Sequence, residues 1–206
     1  MPKEALIKSL IDDGYLKSLS IIEAFKKVDR ADFVSETQKK EAYENYPLPI
    51  GFNQTISQPL TVAFMLELLE PKPGEKILDV GTGSGWQAAL LSQLVGEQGK
   101  VISIERIPEL KNFAEESLKK FGNIIEVKLG DGVQGDTTNA PFDKIIAAAA
   151  GKNIPSAWKE QLKIGGRIVA PVKQSIYVLD KIGPNEFQEK QYFGFSFVPL
   201  ITGDKG

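Results

Sequence analysis

The run Asp79-Val80-Gly81-Thr82-Gly83-Ser84-Gly85-Trp86 sits between an apolar stretch and an amphipathic one. Glycines at this spacing let the backbone turn tightly and approach a ligand with no Cβ in the way, while the following helix offers free N–H groups. A plain glycine turn in an α/β fold has the same spacing, so the acids around it matter more. Dinucleotide loops of the Gly-x-Gly-x-x-Gly type need a glycine at position 86, where this chain has Trp86, which argues against a nicotinamide cofactor. Glu105 closes the next apolar run 20 residues beyond Gly85, where a carboxylate can accept hydrogen bonds from two ribose hydroxyls. Asp131-Gly132 closes the third, placed to accept from the amino group of a base ring, and Asp79 can orient an ammonium group.

Three acids at successive strand ends with a glycine loop describe a nucleoside that carries a cationic, amino-acid-like tail. S-adenosylmethionine fits better than a phosphorylated nucleotide, whose phosphates these carboxylates would repel. The chain has no cysteine and no histidine, which excludes disulfides, thiolate nucleophiles and the commonest general base and metal ligand; no metal site is expected. Among 206 residues, 25 Lys and Arg against 27 Asp and Glu give a net charge of −2, so no basic excess advertises a nucleic-acid partner. No stretch approaches the ~20 apolar residues of a membrane helix, and Lys8, Asp12 and Asp13 interrupt any export signal, so a cytoplasmic, membrane-free protein is expected.

The elements that must position these residues alternate. Leu6, Leu10, Ile11, Leu16, Leu19, Ile22, Phe25 and Val28 predict two short helices broken at Gly14. Gln58-Pro59 opens a periodic helix that Pro71-Lys72-Pro73-Gly74 stops. Strands are then predicted at 77–80, 101–104, 125–129, 144–147 and 167–172, with helices at 87–94, 108–121 and 155–162 between them. This predicts an α/β, doubly wound, mostly parallel sheet with helices on both faces, its ligand crevice at the carboxyl ends of the strands. Residues 177–182 and 187–198 flank Gly183-Pro184-Asn185 and predict an antiparallel finish. One domain is expected over 1–206, with a helical N-terminal extension and substrate-site loop (1–58), a cofactor core (59–175) and C-terminal strands (176–206).

Asn53-Gln54-Thr55-Ile56-Ser57-Gln58-Pro59 followed by Ile77 to Ala89 resembles the protein-L-isoaspartate (D-aspartate) O-methyltransferase family. Val28-Asp29-Arg30-Ala31-Asp32-Phe33-Val34, Leu48-Pro49-Ile50-Gly51, Ser103-Ile104-Glu105-Arg106, Gly130-Asp131-Gly132 and Phe197-Val198-Pro199-Leu200 extend the likeness over nearly the whole chain. Thr-Ile-Ser-Gln-Pro is its most specific segment, since most class I S-adenosylmethionine methyltransferases, with their Rossmann-like fold, share the glycine loop. Phe52-Asn53 departs from the small or histidine-containing Gly-x-Gly turn common before that segment.

The resemblance implies S-adenosylmethionine-dependent methyl esterification of the free α-carboxyl of L-isoaspartyl residues in damaged proteins and peptides, with S-adenosylhomocysteine as product. The ester then cyclises to a succinimide that can reopen to normal aspartyl. The implied roles are Ser57 and Thr55 as active-site residues; Asp79, Gly81, Thr82, Gly83, Ser84, Gly85, Glu105, Arg106, Asp131 and Gly132 at the cofactor; and Ile56, Val198, Pro199 and Leu200 at the substrate. Because a carboxylate with a pKa of about 4 is ionised at neutral pH, its attack on a methyl donor needs no base, and the lack of histidine is no obstacle. A monomer is expected. Other readings remain: a methyltransferase for a small molecule or RNA, or a non-catalytic binder of the cofactor. Locally, Ser57 also suits a helix N-cap, Phe197 to Leu200 an edge strand, Arg106 a solvated charge, and Trp86 and Trp158 packing.

Overall fold

The computed structural model describes residues 1–201 and 203; the end of the expected 176–206 segment, at 202 and 204–206, lies outside them. Two helices, α1 (Lys3–Asp12) and α2 (Leu19–Lys27), open the chain, with Gly14 in the left-handed region (φ 76°) at the turn between them. A hairpin of β1 (Leu48–Gly51) and β2 (Gln54–Ile56) follows, then α3 (Pro59–Leu69). The core alternates β3 (Lys76–Val80), α4 (Trp86–Val95), β4 (Lys100–Glu105), α5 (Pro108–Leu118), β5 (Ile125–Leu129), β6 (Phe142–Ala147), α6 (Ser156–Gln161) and β7 (Leu162–Val172). Strands β8 (Ser175–Lys181) and β9 (Phe187–Phe193) complete it.

The seven long strands form one sheet in the order β5-β4-β3-β6-β7-β8-β9, parallel through β7 and antiparallel beyond. The order reverses between β3 and β6, and such a switch point opens a crevice at the strands' carboxyl ends. Central strands buried on both faces read as continuous apolar runs, as Ile77-Leu78 and Ile145-Ile146 do. Residues of α1 to α5 share one core cluster with Ile77, Val101 and Ile146, whereas Leu78, Ile102 and Ile145 pack on the other face against Trp158 of the short α6. The helices thus divide unequally. Helix α4 is buried nearly all round because it lies between the sheet and α2, and Phe25 meets Trp86 edge-on at 5.6 Å.

Some boundaries differ from expectation. Leu19 is 80% exposed, so the apolar stripe of the first helices is narrower than its periodicity suggests. Helix α5 stops at Leu118 and passes into a 3-10 stretch containing Gly122 at φ 73°. Strand β7 starts five residues earlier than predicted, at Leu162, where the bulge in its pairing with β6 absorbs Gly165 and Gly166. Strand β9 stops at Phe193, so 197–200 is no edge strand. It is a strap whose Val198 carbonyl accepts the Ala150 N–H and whose Leu200 N–H reaches the Ala150 carbonyl, both at 2.8 Å. Phe195 stacks on Phe64 at 5.2 Å and anchors the strap to α3.

Candidate active site

The β3–α4 turn places Gly81, Gly83 and Gly85 at φ 90°, 56° and 99°, which only glycine adopts without strain. Gly81 and Gly83 line a cleft open to solvent, together with Glu105, Gly132, Ala148 and Val198. A Cβ on Gly83 would come within 3.3 Å of Ile50, so the absence of side chains also lets the hairpin close over the loop. Gly132 is required for another reason: a Cβ there would lie 2.4 Å from Val80. Its carbonyl accepts the Trp158 indole N–H at 2.8 Å, so Trp158, expected to pack, also fixes a cleft wall.

Not every residue of the loop faces the cleft. Asp79 is wholly buried beneath it, with Oδ1 accepting from Gln87 at 2.7 Å and Oδ2 from Ser103 at 2.7 Å, and Thr82 shares the Ser103 hydroxyl. The expected direct contact of Asp79 with an ammonium group is therefore replaced by support of the turn from below. Burial pushes its carboxyl up to about 6, against the pull of the Gln87 and Ser103 hydrogen bonds and with a smaller push from Glu105. The Thr82 and Ser84 side chains are likewise buried outside the cleft lining, and Gly85 serves as N-cap of α4. These positions contribute backbone shape to the loop, and the direction in which each side chain turns is not given by the loop's sequence.

Glu105 lines the cleft, yet much of its acceptor capacity is used internally. Its Oε2 takes the Gly83 N–H at 2.8 Å, and Oε1 takes the N–H groups of Arg106 and Ile107 at 2.9 and 3.0 Å. A carboxylate offers about four acceptor positions, so with three taken at least one remains open towards the cleft. Asp131 lines an adjoining cleft with Phe52, Asn53 and Arg106; its Oδ1 caps the following 3-10 turn through Val133, and its Oδ2 accepts from Gly203 at 3.1 Å. Arg106 lines both clefts and donates to the Gly203 carbonyl at 3.3 Å, so it is more than a solvated charge. Phe52 and Asn53 form the β1–β2 turn, both with positive φ, as tight hairpins require, and Phe52 stands exposed at the cleft's rim.

On the other side, Thr55, Ser57, Thr61, Ser196, Phe197 and Val198 line a second cavity. It shares Thr55, Ala148 and Val198 with the glycine-loop cleft, so those residues form the partition between the two spaces. Ile56, expected at the substrate, instead turns into the core, as alternation along β2 between Thr55 and Ser57 dictates. Pro199 and Leu200, also expected at the substrate, line the glycine-loop side of the partition.

Ser57 does not cap α3. The N-cap residue is Gln58, and the Leu60 N–H is taken at 3.0 Å by the Asn45 side chain from the preceding loop, so the Ser57 hydroxyl is left to the cavity. Its carbonyl is held by Arg30, a buried residue that the sequence reading left without a role. Asn45, Gln87 and Ser103 were likewise missed; the signal for Ser103 was one polar residue in an otherwise apolar strand, two positions before Glu105.

The sequence model of the family described as protein-L-isoaspartate(D-aspartate) O-methyltransferase matches residues 1–205. A protein-L-isoaspartate O-methyltransferase of Ignicoccus hospitalis is 48% identical over 204 residues, covering 97% of each chain, and one of Methanopyrus kandleri is 44% identical, covering 99% of this chain and 92% of the relative. A solved protein-L-isoaspartate O-methyltransferase superposes with a TM-score of 0.89 at 26% identity, over 98% of this chain and 66% of that one. A Plasmodium falciparum structure of the same description, in complex with S-adenosyl-L-homocysteine, has the same fold (TM-score 0.86, 23% identity, 98% and 99% covered).

Proposed function

The chain belongs to the protein-L-isoaspartate(D-aspartate) O-methyltransferase family, and from that premise we propose that its two adjoining cavities divide the work, the glycine-loop cleft taking the methyl donor and the hydroxyl-lined cavity the acceptor. The enzyme uses S-adenosylmethionine to esterify the free α-carboxyl of L-isoaspartyl residues in damaged proteins and peptides, which begins their repair through a succinimide. The observation that carries the division is the partition of Thr55, Ala148 and Val198, common to both spaces.

The donor fits the cleft in chemistry: bare glycine backbone at Gly81 and Gly83, one open acceptor position on Glu105, and the Asp131 carboxylate and Arg106 next door. Bound there, S-adenosylmethionine supplies a methyl group made electrophilic by its sulfonium. The chain's own task is placement. The acceptor arrives ionised, so no side chain has to remove a proton, in keeping with a chain that lacks histidine. Thr55 and Ser57 offer hydroxyl donors to a carboxylate, the Thr61 hydroxyl donating to Gln58 beside them, and no cationic side chain is among the described residues lining their cavity. A direct ion pair would stabilise the attacking anion more than the charge-neutralised transition state, so weaker hydroxyl donors suit the reaction better. Phe197 and Val198 exclude water from the partition, which strengthens the remaining electrostatics and favours in-line alignment.

In this reading Ser57 and Thr55 orient the acceptor and neither acts as a nucleophile. In the same reading the chain works as a single domain and a monomer in the cytoplasm, on peptide and protein substrates, without nucleic acid or membrane; its net charge of −2 offers no basic excess to a nucleic acid, and no described helix is long and apolar enough to cross a membrane. The experiment gives the protein labelled S-adenosylmethionine and two peptides differing only in an isoaspartyl or a normal aspartyl linkage. Base-labile methyl on the isoaspartyl peptide alone is expected, and Ser57→Ala should lower kcat/KM for that peptide by roughly tenfold or more at unchanged S-adenosylhomocysteine affinity. Equal labelling of both peptides would overturn the assignment.

A further inference from the structure

The acceptor cavity is built for an anion, yet the nearest buried cation stands one layer behind its wall. Arg30 is 2% exposed, lies in a 3-10 turn (Arg30–Phe33) capped by Asp29, and forms no ion pair among the described residues. Its two terminal guanidinium nitrogens donate to backbone carbonyls, while the buried Nε has no partner among the described residues. Nη1 donates to Ala42 at 2.7 Å, and Nη2 donates to Tyr46 at 3.1 Å and to Ser57 at 3.0 Å. The guanidinium also sits over the Trp86 ring at 5.2 Å, at the first turn of α4 behind the glycine loop.

Of these three residues Ser57 lines the cavity itself, and Tyr46 adjoins its wall in sequence. Tyr46 immediately precedes Pro47, and Pro47 and Ser57 both line the cavity. Burying a guanidinium without a carboxylate partner is costly, and carbonyl dipoles only partly offset it. A core residue needed for packing alone would be better served by an apolar side chain of similar volume. Lysine could not replace it, because a single ammonium cannot span carbonyls that a planar fork reaches in one plane.

We infer that Arg30 is a positioning residue for the reaction: by bridging the Tyr46 and Ser57 carbonyls it ties together the segments that bring Pro47 and Ser57 to the acceptor cavity and sets a positive charge behind them, close enough to favour an anionic acceptor but screened from pairing with it. This rests on the reading of the hydroxyl-lined cavity as the carboxylate site. Set back in this way, the charge aids capture of the carboxylate without direct contact that would blunt its attack. Burial pulls the guanidinium down to about 10, which leaves it charged at neutral pH.

The test compares Arg30→Lys and Arg30→Gln with the unaltered enzyme and with Ser57→Ala, reading KM and kcat for an isoaspartyl peptide together with S-adenosylhomocysteine affinity by calorimetry. Both Arg30 variants should raise the peptide KM and lower kcat/KM by roughly 10- to 100-fold, with S-adenosylhomocysteine affinity retained as the sign of an intact donor site, and lysine should not rescue. Unchanged kcat/KM in both, or a loss matched by an equal loss of S-adenosylhomocysteine affinity, would overturn the inference. If Ser57→Ala is impaired while the Arg30 variants are not, the Arg30 role alone falls. If Ser57→Ala is silent while they are impaired, the role of the Ser57 hydroxyl falls and Arg30's stands. Should neither variant fold, the Arg30 side-chain nitrogen resonances of the unaltered protein are followed during titration with peptide and S-adenosylhomocysteine. They should shift with the isoaspartyl peptide and stay in place with the aspartyl one; no shift with either overturns the role.

Discussion

The Glu105 carboxylate accepts the Gly83 backbone N–H at 2.8 Å, so the acid at the end of β4 holds the glycine loop in shape from across the cleft. Its two oxygens bridge separate elements, since the other takes the N–H groups of Arg106 and Ile107 at the entry to α5. With the methyl donor in the glycine-loop cleft as proposed, cofactor affinity and loop geometry would depend on the same side chain.

Glu105→Gln keeps the size but sets an amide NH₂ against backbone donors. Hydrogen bonds to a charged acceptor contribute about 1.5–3 kcal/mol each, so S-adenosylhomocysteine binding should weaken by roughly 10- to 100-fold in calorimetry. Retention of full affinity would show that the loop holds its form without this bridge.

Asp79 gives a pH signature. Its folded pKa, raised to about 6, lies above the ordinary value of 3.8, so folding favours the protonated form. The stabilisation is complete below about pH 4 and is lost as pH rises through about 6, a change on the order of 2–3 kcal/mol. Urea unfolding of the wild type and Asp79→Asn across pH 4–8 should show the wild type losing stability relative to the variant up to about pH 6–7, then a constant difference. A difference independent of pH would contradict the burial argument.

Gly132→Ala should destabilise by about 1–3 kcal/mol through overpacking, because the new Cβ would lie 2.4 Å from Val80. Val80→Ala in the same chain should recover part of the loss, read as thermal midpoints of the two single variants and the double. Without recovery, the clash would not be the cause.

Phe195→Ala removes the ring stacked on Phe64. The stack itself is worth about 0.5–1.5 kcal/mol beyond area burial. Since the strap lines both cavities, peptide KM and S-adenosylhomocysteine Kd should rise together in steady-state kinetics and calorimetry. A change in only one would place the anchor's effect on one side of the partition.

How much of this was legible before folding depended on whether backbone or side-chain direction was at stake. Gly81, Gly83 and Gly85 announced a turn that needs positive φ, and unbroken apolar runs such as Ile77-Leu78 announced buried parallel strands. Direction within the loop was not legible: Asp79, Thr82 and Ser84 turn inward because Gln87 and Ser103, distant in sequence, meet them there or the core encloses them. Periodicity favoured an edge strand at Phe197 to Leu200 because it does not register the Ala150 loop, whose backbone captures that segment as a strap. Arg30 carried no local signal beyond a cation among Val28, Ala31 and Phe33, and its partners lie 12 to 27 residues away.

The partition of Thr55, Ala148 and Val198 also bears on the order of events in turnover. The clefts run in series: the acceptor cavity shares residues with the glycine-loop cleft, which shares Gln54, Arg106, Ile107 and Ile201 with the Asp131 cleft, while the two outer spaces share none. On the proposed division, peptide and nucleoside would approach the partition from opposite ends of this series, and the spent nucleoside would then be able to exchange while a long damaged chain stays seated.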